Sequence, residues 1–358
     1  KYRLAADLLR TWQEEHIMIR DPEPALYFLS QEFKGPTGLT RRLALIGAID
    51  IEPLGATILP HERTLPKHVD DRLKLLEATR AQTGQIFLIY EDADRMIDAV
   101  LESYQDRHPV LTGNLDGIQT SLWKCTDTTL HHTIGNALSS STALIADGHH
   151  RYQTACRYAA AHPENRAAQQ VMVTLVNRYH PGLAILPTHR LVEPGSPGGR
   201  ELCRRLQAEF KTGSALPADQ WLNHWRQAAG QEGIGVLDLT TRTGFWLPLP
   251  QAAEREDLLA VEFLHDHILK PWLKIDVDRP DSLARLDYWK GDLKPEDLPT
   301  LARKFELAFL VPPPSLEAVF RRSRSGHILP QKSTFFSPKI PSGLVFRSVQ
   351  EYSGSEIP

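Results

Sequence analysis

Apolar positions recur along this chain in two periods, and the switches between them mark its elements. Leu4, Leu8, Leu9 and Trp12 share one helical face, which predicts an amphipathic helix to about Glu15. Asp21-Pro22-Glu23-Pro24 ends it. Ala25–Phe33 and Leu39–Ile51 read as two strands of a hairpin around Gly35-Pro36-Thr37-Gly38. A short strand, Ala56–Leu59, runs into Pro60-His61-Glu62-Arg63-Thr64, and a helix follows from Val69 to about Thr83. Strand Gln85–Tyr90, helix Asp92–Tyr104, strand Gly117–Cys125 and helix Asp127–Leu138 continue the alternation. The apolar run Thr142–Ala146 reads as a buried strand that stops at Asp147-Gly148. A helical pattern (Tyr152, Ala155, Cys156, Ala159) starts at once and reaches about Ala161, and Gln170–Val176 is another buried strand.

The character changes after Pro187, and Pro194-Gly195-Ser196-Pro197-Gly198-Gly199 reads as a linker. Beyond it the pattern predicts helices Glu201–Phe210 and Ala218–Ala229, strands Gly235–Leu239 and Gly244–Leu247, and a long helix Ala252–Trp272. An αβα-like unit covers Lys294–Arg322. The tail from Leu329 to Val345 is polar and rich in Pro and Gly, yet punctuated by Phe335, Phe336, Ile340 and Leu344, which suits a segment laid over a folded surface. The fold expected is mixed α/β (α+β): a core domain over residues 1–190, a second α+β domain over 200–325, and a C-terminal segment over 326–358.

Bulk properties narrow the function. A chain of 358 residues can bury a full core, and 41% hydrophobic with 24% charged residues is ordinary for a globular protein. The net charge of −3 supplies no basic field over the whole molecule, so nucleic acid is an unfavoured partner. Cys125, Cys156 and Cys203 are few, odd in number and far apart, fitting neither a disulfide framework nor a zinc motif, and a reducing cytosol is the simplest home. No apolar run approaches the roughly 18 residues that cross a bilayer, so no membrane is expected.

The densest chemistry lies at Asp147-Gly148-His149-His150-Arg151, where a strand turns directly into a helix. Such a turn places free helix N–H groups and the positive dipole end at the strand's carboxyl edge, where anions bind. One carboxylate, two imidazoles and a guanidinium there suit a phosphate or metal–phosphate site; a solvated surface turn is the plainer alternative. Glu62 also follows a strand and can act as a general base if a substrate hydroxyl comes within reach, with His61 and Arg63 steering phosphate; alone, it reads as a loop carboxylate. Lys332, Ser333 and Thr334 make a third, weaker phosphate clamp. His131-His132 lie in a helical pattern where neighbours diverge, so they read as surface residues rather than ligands of one metal, and His265 and His267 have the wrong spacing for a shared ligand face. Neither a P-loop nor a Gly-x-Gly-x-x-Gly turn is present.

Taken in order, His61-Glu62-Arg63-Thr64, Ala146 to Tyr152 and Pro330 to Thr334 resemble the three signature elements of a bacterial and archaeal family of unknown function. The resemblance covers nearly the whole chain and implies a further segment of several tens of residues upstream of Lys1. More distantly, the chain is similar to the free-serine kinases, which share a ParB/sulfiredoxin-like core and pass phosphate from a nucleotide to the hydroxyl of L-serine. That similarity implies Glu62 as catalytic base. It further implies Asp147, Gly148, His149, His150 and Arg151 at the nucleotide phosphates and metal, with Lys332, Ser333 and Thr334 nearby. An extra unit around Gln85–Asp116 departs from the kinases and would reshape the acceptor pocket.

The expectation is a cytoplasmic nucleotide-dependent phosphotransferase using ADP or ATP and Mg²⁺ on a small hydroxyl acceptor such as L-serine. In it Glu62 takes the hydroxyl proton, Asp147 holds Mg²⁺ or the acceptor, and His61 and Lys332 stabilise charge. A ParB-like nucleotide switch without kinase activity and a metal-dependent hydrolase stay open as alternatives.

Overall fold

A computed structural model describes residues 1–35, 38–64, 66–228, 233–249, 258–276 and 279–350. Pro36 and Thr37 of the expected hairpin turn, and the start of the helix expected over Ala252–Trp272, lie outside them. The chain divides into two compact units. The first holds Lys1–Ala184, Ser323–His327 and the chain from Pro338; the second holds Ile185–Arg322 and Ile328–Ser337.

The first unit is built on β1 (Leu26–Gly35), β2 (Gly38–Asp50), β3 (Ile58–Leu59), β4 (Ala81–Gln82), β5 (Ile86–Tyr90), β6 (Leu111–Leu115), β7 (Ile118–Cys125), β8 (Ala143–Asp147) and β9 (Gln170–Asn177). Its helices are α1 (Tyr2–Glu14), α2 (Pro66–Thr79), α3 (Met96–Ser103), α4 (Thr128–Leu138) and α5 (His149–Ala161). Eight of the strands form one mixed sheet in the order β3-β8-β5-β9-β2-β1-β7-β6. β3 runs parallel to β8, with Ile58 opposite Ala143 and Leu59 opposite Leu144, whereas β8 runs antiparallel to β5. Alternate residues of the central strands, such as Leu45, Leu88, Ile145 and Val173, enter one core with Ile97 and Leu101 of α3, Ile134 of α4 and Tyr152 of α5. Burial of both faces at β5 and β8 explains their near-continuous apolar runs.

Helix boundaries follow local chemistry. The Asp127 carboxylate caps α4 by accepting from the Thr129 and Leu130 N–H groups at 2.9 and 3.1 Å. The helix expected from Asp92 begins at Met96, because the Asp92 side chain accepts the Ile97 N–H at 3.0 Å and Arg95 turns left-handed at φ 53°. Arg80, at φ 50°, ends α2 before Thr83 and lets β4 form.

The second unit contains β10 (Ala184–Leu186, which begins at the last residue of the first), β11 (Thr188–Val192), β12 (Leu216–Pro217), β13 (Ile234–Asp238), β14 (Thr243–Leu247), β15 (Leu286–Lys290), β16 (Leu307–Leu310) and β17 (Phe335–Ser337). Six of them form an antiparallel sheet in the order β12-β14-β13-β16-β11-β15. Around it lie α6 (Gly199–Glu209), α7 (Ala218–Ala228), α8 (Ala260–Leu264), α9 (Lys270–Leu273), α10 (Leu298–Leu301) and α11 (Leu316–Arg324). A π-helical turn, His265–Leu269, joins α8 to α9, so within the described residues the expected long helix starts only at Ala260, after an extended Leu259, and carries an inserted turn. Trp221 and Trp225 of α7 pack with Trp246 of β14 at ring separations of 5.1 to 5.9 Å.

The tail returns to the first unit. β18 (Arg347–Ser348) pairs antiparallel with β4, Arg347 opposite Gln82. Val349 is buried with Leu76, Tyr158 and Ala168. No helix among the described residues is long and apolar enough to cross a membrane.

Candidate active site

Parallel pairing of neighbouring strands brings two of the sequence elements together. Because β3 and β8 run the same way, their carboxyl ends emerge side by side. Pro60–Thr64 therefore lies against the Asp147–Arg151 turn. The His61 backbone N–H donates to Nε2 of His149 at 3.3 Å, and the two rings meet edge-on at 4.7 Å. The Thr64 hydroxyl donates to the Gln153 side-chain carbonyl. His150 meets His68 of α2 edge-on at 5.3 Å. The Tyr152 hydroxyl donates to the Glu52 carbonyl at 2.9 Å, and the Glu52 carboxylate in turn accepts the N–H groups of Thr57 and Ile58 at 2.8 and 2.7 Å. The loop feeding β3 is thus tied to α5 itself.

At the centre, Gly148 sits at φ 99°, a conformation side chains rarely adopt, and lets β8 turn into α5 without a spacer. The first helical bond is Tyr152 N–H to the Gly148 carbonyl at 2.9 Å. The N–H groups of His149, His150 and Arg151 precede it and have no acceptor within the helix. A Cβ on Gly148 would lie 3.1 Å from Arg151 Nε, so the missing side chain also makes room for the guanidinium.

Asp147 carries a cation on each oxygen. Arg151 Nη2 donates to Oδ2 at 2.8 Å, and Lys339 Nζ donates to Oδ1 at 2.7 Å. Burial pushes the carboxyl pKa up, but Lys339 and then Arg151 outweigh it, and the net shift is down. The Asp147 side chain keeps 38% of its exposure, so solutes reach the cluster. Two cations, one anion and a helix N-terminus leave an excess of positive charge, and this turn suits an anion better than a bare metal. Among the described residues no three His, Cys, Asp or Glu side chains are grouped to hold a metal ion. Asp147 is still able to contribute one carboxylate to an Mg²⁺ held mainly by phosphates and water, a set that needs only one or two carboxylates.

His61 corrects an expectation. It is fully buried, and desolvation lowers its pKa to about 4 against the opposing pull of its hydrogen bond with the Ile145 backbone. A neutral ring inside the fold adds no positive charge to a phosphate. Its job is to pack the Pro60–Thr64 turn against α5. The imidazole of His149 is likewise buried and accepts from the His61 backbone. Glu62 keeps 19% of its side chain exposed, and Oε1 lies 3.9 Å from His61 Nε2, beyond hydrogen-bond range.

Lys339 is the residue that sequence reasoning missed. It follows the Lys332–Thr334 element by a few residues, and nothing in Pro338-Lys339-Ile340-Pro341 marks it as chemical. Only the tail's return to the first unit puts it on Asp147. Lys332, Ser333 and Thr334 belong to the second unit. There Lys332 takes a left-handed φ of 59°, and the Ser333 hydroxyl is buried and donates to the Pro330 carbonyl at 2.5 Å. Ser333 is therefore committed to folding its own turn.

His131 bonds the Cys125 carbonyl at 2.9 Å and His132 is exposed. His265 is buried and accepts from Arg190 Nε at 3.2 Å, while His267 stacks on Phe263 outside. All three cysteines are free.

No curated protein matches the chain. Among solved structures it is similar to a free serine kinase in complex with AMP, at 12% identity and a TM-score of 0.40, over 81% of this chain and 86% of that one. It is also similar to a conserved hypothetical protein from Pyrococcus furiosus, at 13% identity and a TM-score of 0.39, over 83% and 93%. SbnI with a C-terminal truncation, from Staphylococcus aureus, matches at 11% identity and a TM-score of 0.41, over 83% and 85%. Overlaps of this size leave the chemistry to the chain's own residues. The sequence itself is decisive on family: residues 1–263 match the profile described as Protein of unknown function (DUF1015), and the chain belongs to that family.

Proposed function

We propose that the protein is a cytoplasmic nucleotide-dependent phosphotransferase with a ParB/sulfiredoxin-like core, acting on a small hydroxyl acceptor of which L-serine is the first to test. One observation supports this above the others: a strand-to-helix turn with two cations on a half-exposed Asp147 stands beside a second turn carrying Glu62. In this reading the donor phosphates of ADP or ATP rest on the first N–H groups of α5, held by His150 and Arg151. Glu62 accepts the proton of the acceptor hydroxyl as the hydroxyl oxygen attacks the terminal phosphorus of the donor, whose bridging P–O bond breaks to release AMP from ADP or ADP from ATP.

Mg²⁺ would be held by Asp147 together with the nucleotide, and would supply charge neutralisation on the phosphates when bound. The protein's own part is positioning and electrostatics, which carry most of phosphoryl transfer.

The experiment is a thermal-shift panel of ATP, ADP and CTP with Mg²⁺ on wild type and on Glu62→Gln. The reading expects a rise in melting temperature with at least one nucleotide, equal in both proteins. Turnover with the best nucleotide should fall about 10²–10⁴-fold in Glu62→Gln. Binding without acceptor-dependent product in the wild type would instead support a nucleotide-binding switch.

A further inference from the structure

Arg42 is the least expected side chain in the first unit. It lies on β2 between Arg41 and the apolar run Leu43–Ile46 and is fully buried, yet its guanidinium forms no ion pair with a described carboxylate. Its Nε and Nη1 make no hydrogen bond among the described residues. A buried guanidinium without an anion is costly to desolvate. Burial lowers its pKa to about 9, which leaves it charged at neutral pH.

What it holds is the returning tail. Arg42 Nη2 donates to the Pro338 carbonyl at 2.6 Å and to the side-chain carbonyl of Gln31, its cross-strand partner on β1. Gln31 is buried too, and its amide donates to the Lys339 carbonyl at 3.2 Å. Two successive carbonyls of the tail are therefore gripped from the sheet, at the residue whose ammonium meets Asp147 Oδ1 at 2.7 Å. The guanidinium itself rests on the Phe87 ring at 5.0 Å, and Phe87 pairs with Asp147 across β5 and β8. Seat, strap and site are contiguous within one unit. On the anion side, Arg151 Nε is a buried donor that makes no hydrogen bond among the described residues.

We propose that Lys339 is a further phosphate-binding residue of the Asp147 turn and that Arg42, with Gln31, is the positioning pair that delivers it. The proposal rests on reading that turn as a phosphate site. The ligand chemistry is an oligophosphate, either the tail of a nucleotide or inorganic.

Calorimetric titration of ADP, and separately of inorganic tripolyphosphate, tests it on the full chain. Lys339→Met should weaken both ligands about 10- to 100-fold, the size of a lost charge-assisted hydrogen bond. Arg42→Met should weaken them several-fold in the wild-type background and less than about twofold on top of Lys339→Met, because its effect runs through Lys339. Gln31→Glu keeps the proposal testable should Arg42→Met fold poorly. It gives the guanidinium a carboxylate, so the protein stays folded, but it removes the donor to the Lys339 carbonyl and should lower affinity. An equal Arg42→Met loss in both backgrounds, or a Gln31→Glu protein that binds as wild type, overturns the positioning role. ADP binding unchanged by Lys339→Met overturns the proposal and leaves the nucleotide reading standing. Lys339-dependent binding of tripolyphosphate without ADP binding does the reverse. Binding of neither removes both.

Discussion

Gly148 shows how much of the site hangs on a missing side chain. Its φ of 99° and the 3.1 Å that would separate an added Cβ from Arg151 Nε set two separate demands. Gly148→Ala is expected to lose about 1–2 kcal/mol of stability through backbone strain, measured by urea denaturation. It should also push the guanidinium off Asp147 and weaken phosphate binding more than that loss explains. A variant as stable as wild type would mean that the turn is looser than described. His61 makes a second residue-scale prediction through its pH dependence. It titrates near 6.5 in the unfolded chain and at about 4 in the fold. The unfolded state therefore binds protons first, and stability that is full above about pH 6.5 is withdrawn as the pH falls toward 4. His189, held at about 3 by burial and then Arg190, and the buried His180 and His265 act in the same direction. The melting temperature should be flat above about pH 7 and drop across that window, and a flat profile down to pH 5 would contradict it. His61→Gln should make the slope shallower.

At the scale of elements, α7 and the β13–β14 hairpin depend on two glycines under one tryptophan. A Cβ on Gly235 would fall 2.2 Å from Trp221 Cη2, and one on Gly244 would fall 2.7 Å from Trp221 Cδ2. Gly235→Ala therefore forces the indole out of a site where it is 1% exposed, at an expected cost of about 1–3 kcal/mol. Chemical denaturation with tryptophan fluorescence reads both the loss and the displaced ring; an unshifted midpoint would contradict this packing. The same comparison explains which elements the sequence makes visible. β5, β8 and β9 are apolar runs bounded by polar turns, and they sit where the pattern puts them, within a residue or two. β11 was invisible because His189 and Arg190 interrupt it, and both are buried against partners supplied by other elements. β6 is exposed at every position, and its two leucines, Leu111 and Leu115, are too far apart around Thr112-Gly113-Asn114 to mark a strand. α3 starts late because a side chain of Asp92, rather than a change of periodicity, sets its boundary.

For the whole molecule, local motifs reveal the site's two turns and tertiary structure alone reveals its cation. The strand-to-helix geometry at Asp147 and the strand-end placement of Glu62 are readable from residue order, and parallel pairing of β3 with β8 then joins them. Nothing in the order of residues says that the chain, after leaving for the second unit, sends Lys339 back to Asp147. Burial is equally non-local. It makes His61 a packing residue and pushes the thiol pKa values of Cys156 and Cys203 up to about 11 and about 12. The buried Cys203 and the half-buried Cys156 should both stay unreactive toward a thiol reagent in the native protein at neutral pH and react on unfolding, and rapid native-state modification of either would contradict this.

The claim beneath all of this is that the Asp147 and Glu62 turns together transfer phosphate. Phosphorus NMR of the full chain with Mg²⁺, ADP or ATP, and L-serine or another small alcohol tests it most directly. A new phosphomonoester resonance is expected that grows with loss of the donor's terminal phosphate, needs the acceptor, and nearly vanishes in Glu62→Gln. Donor signals that stay unchanged with every acceptor, or a product that forms equally well without Glu62, would contradict it.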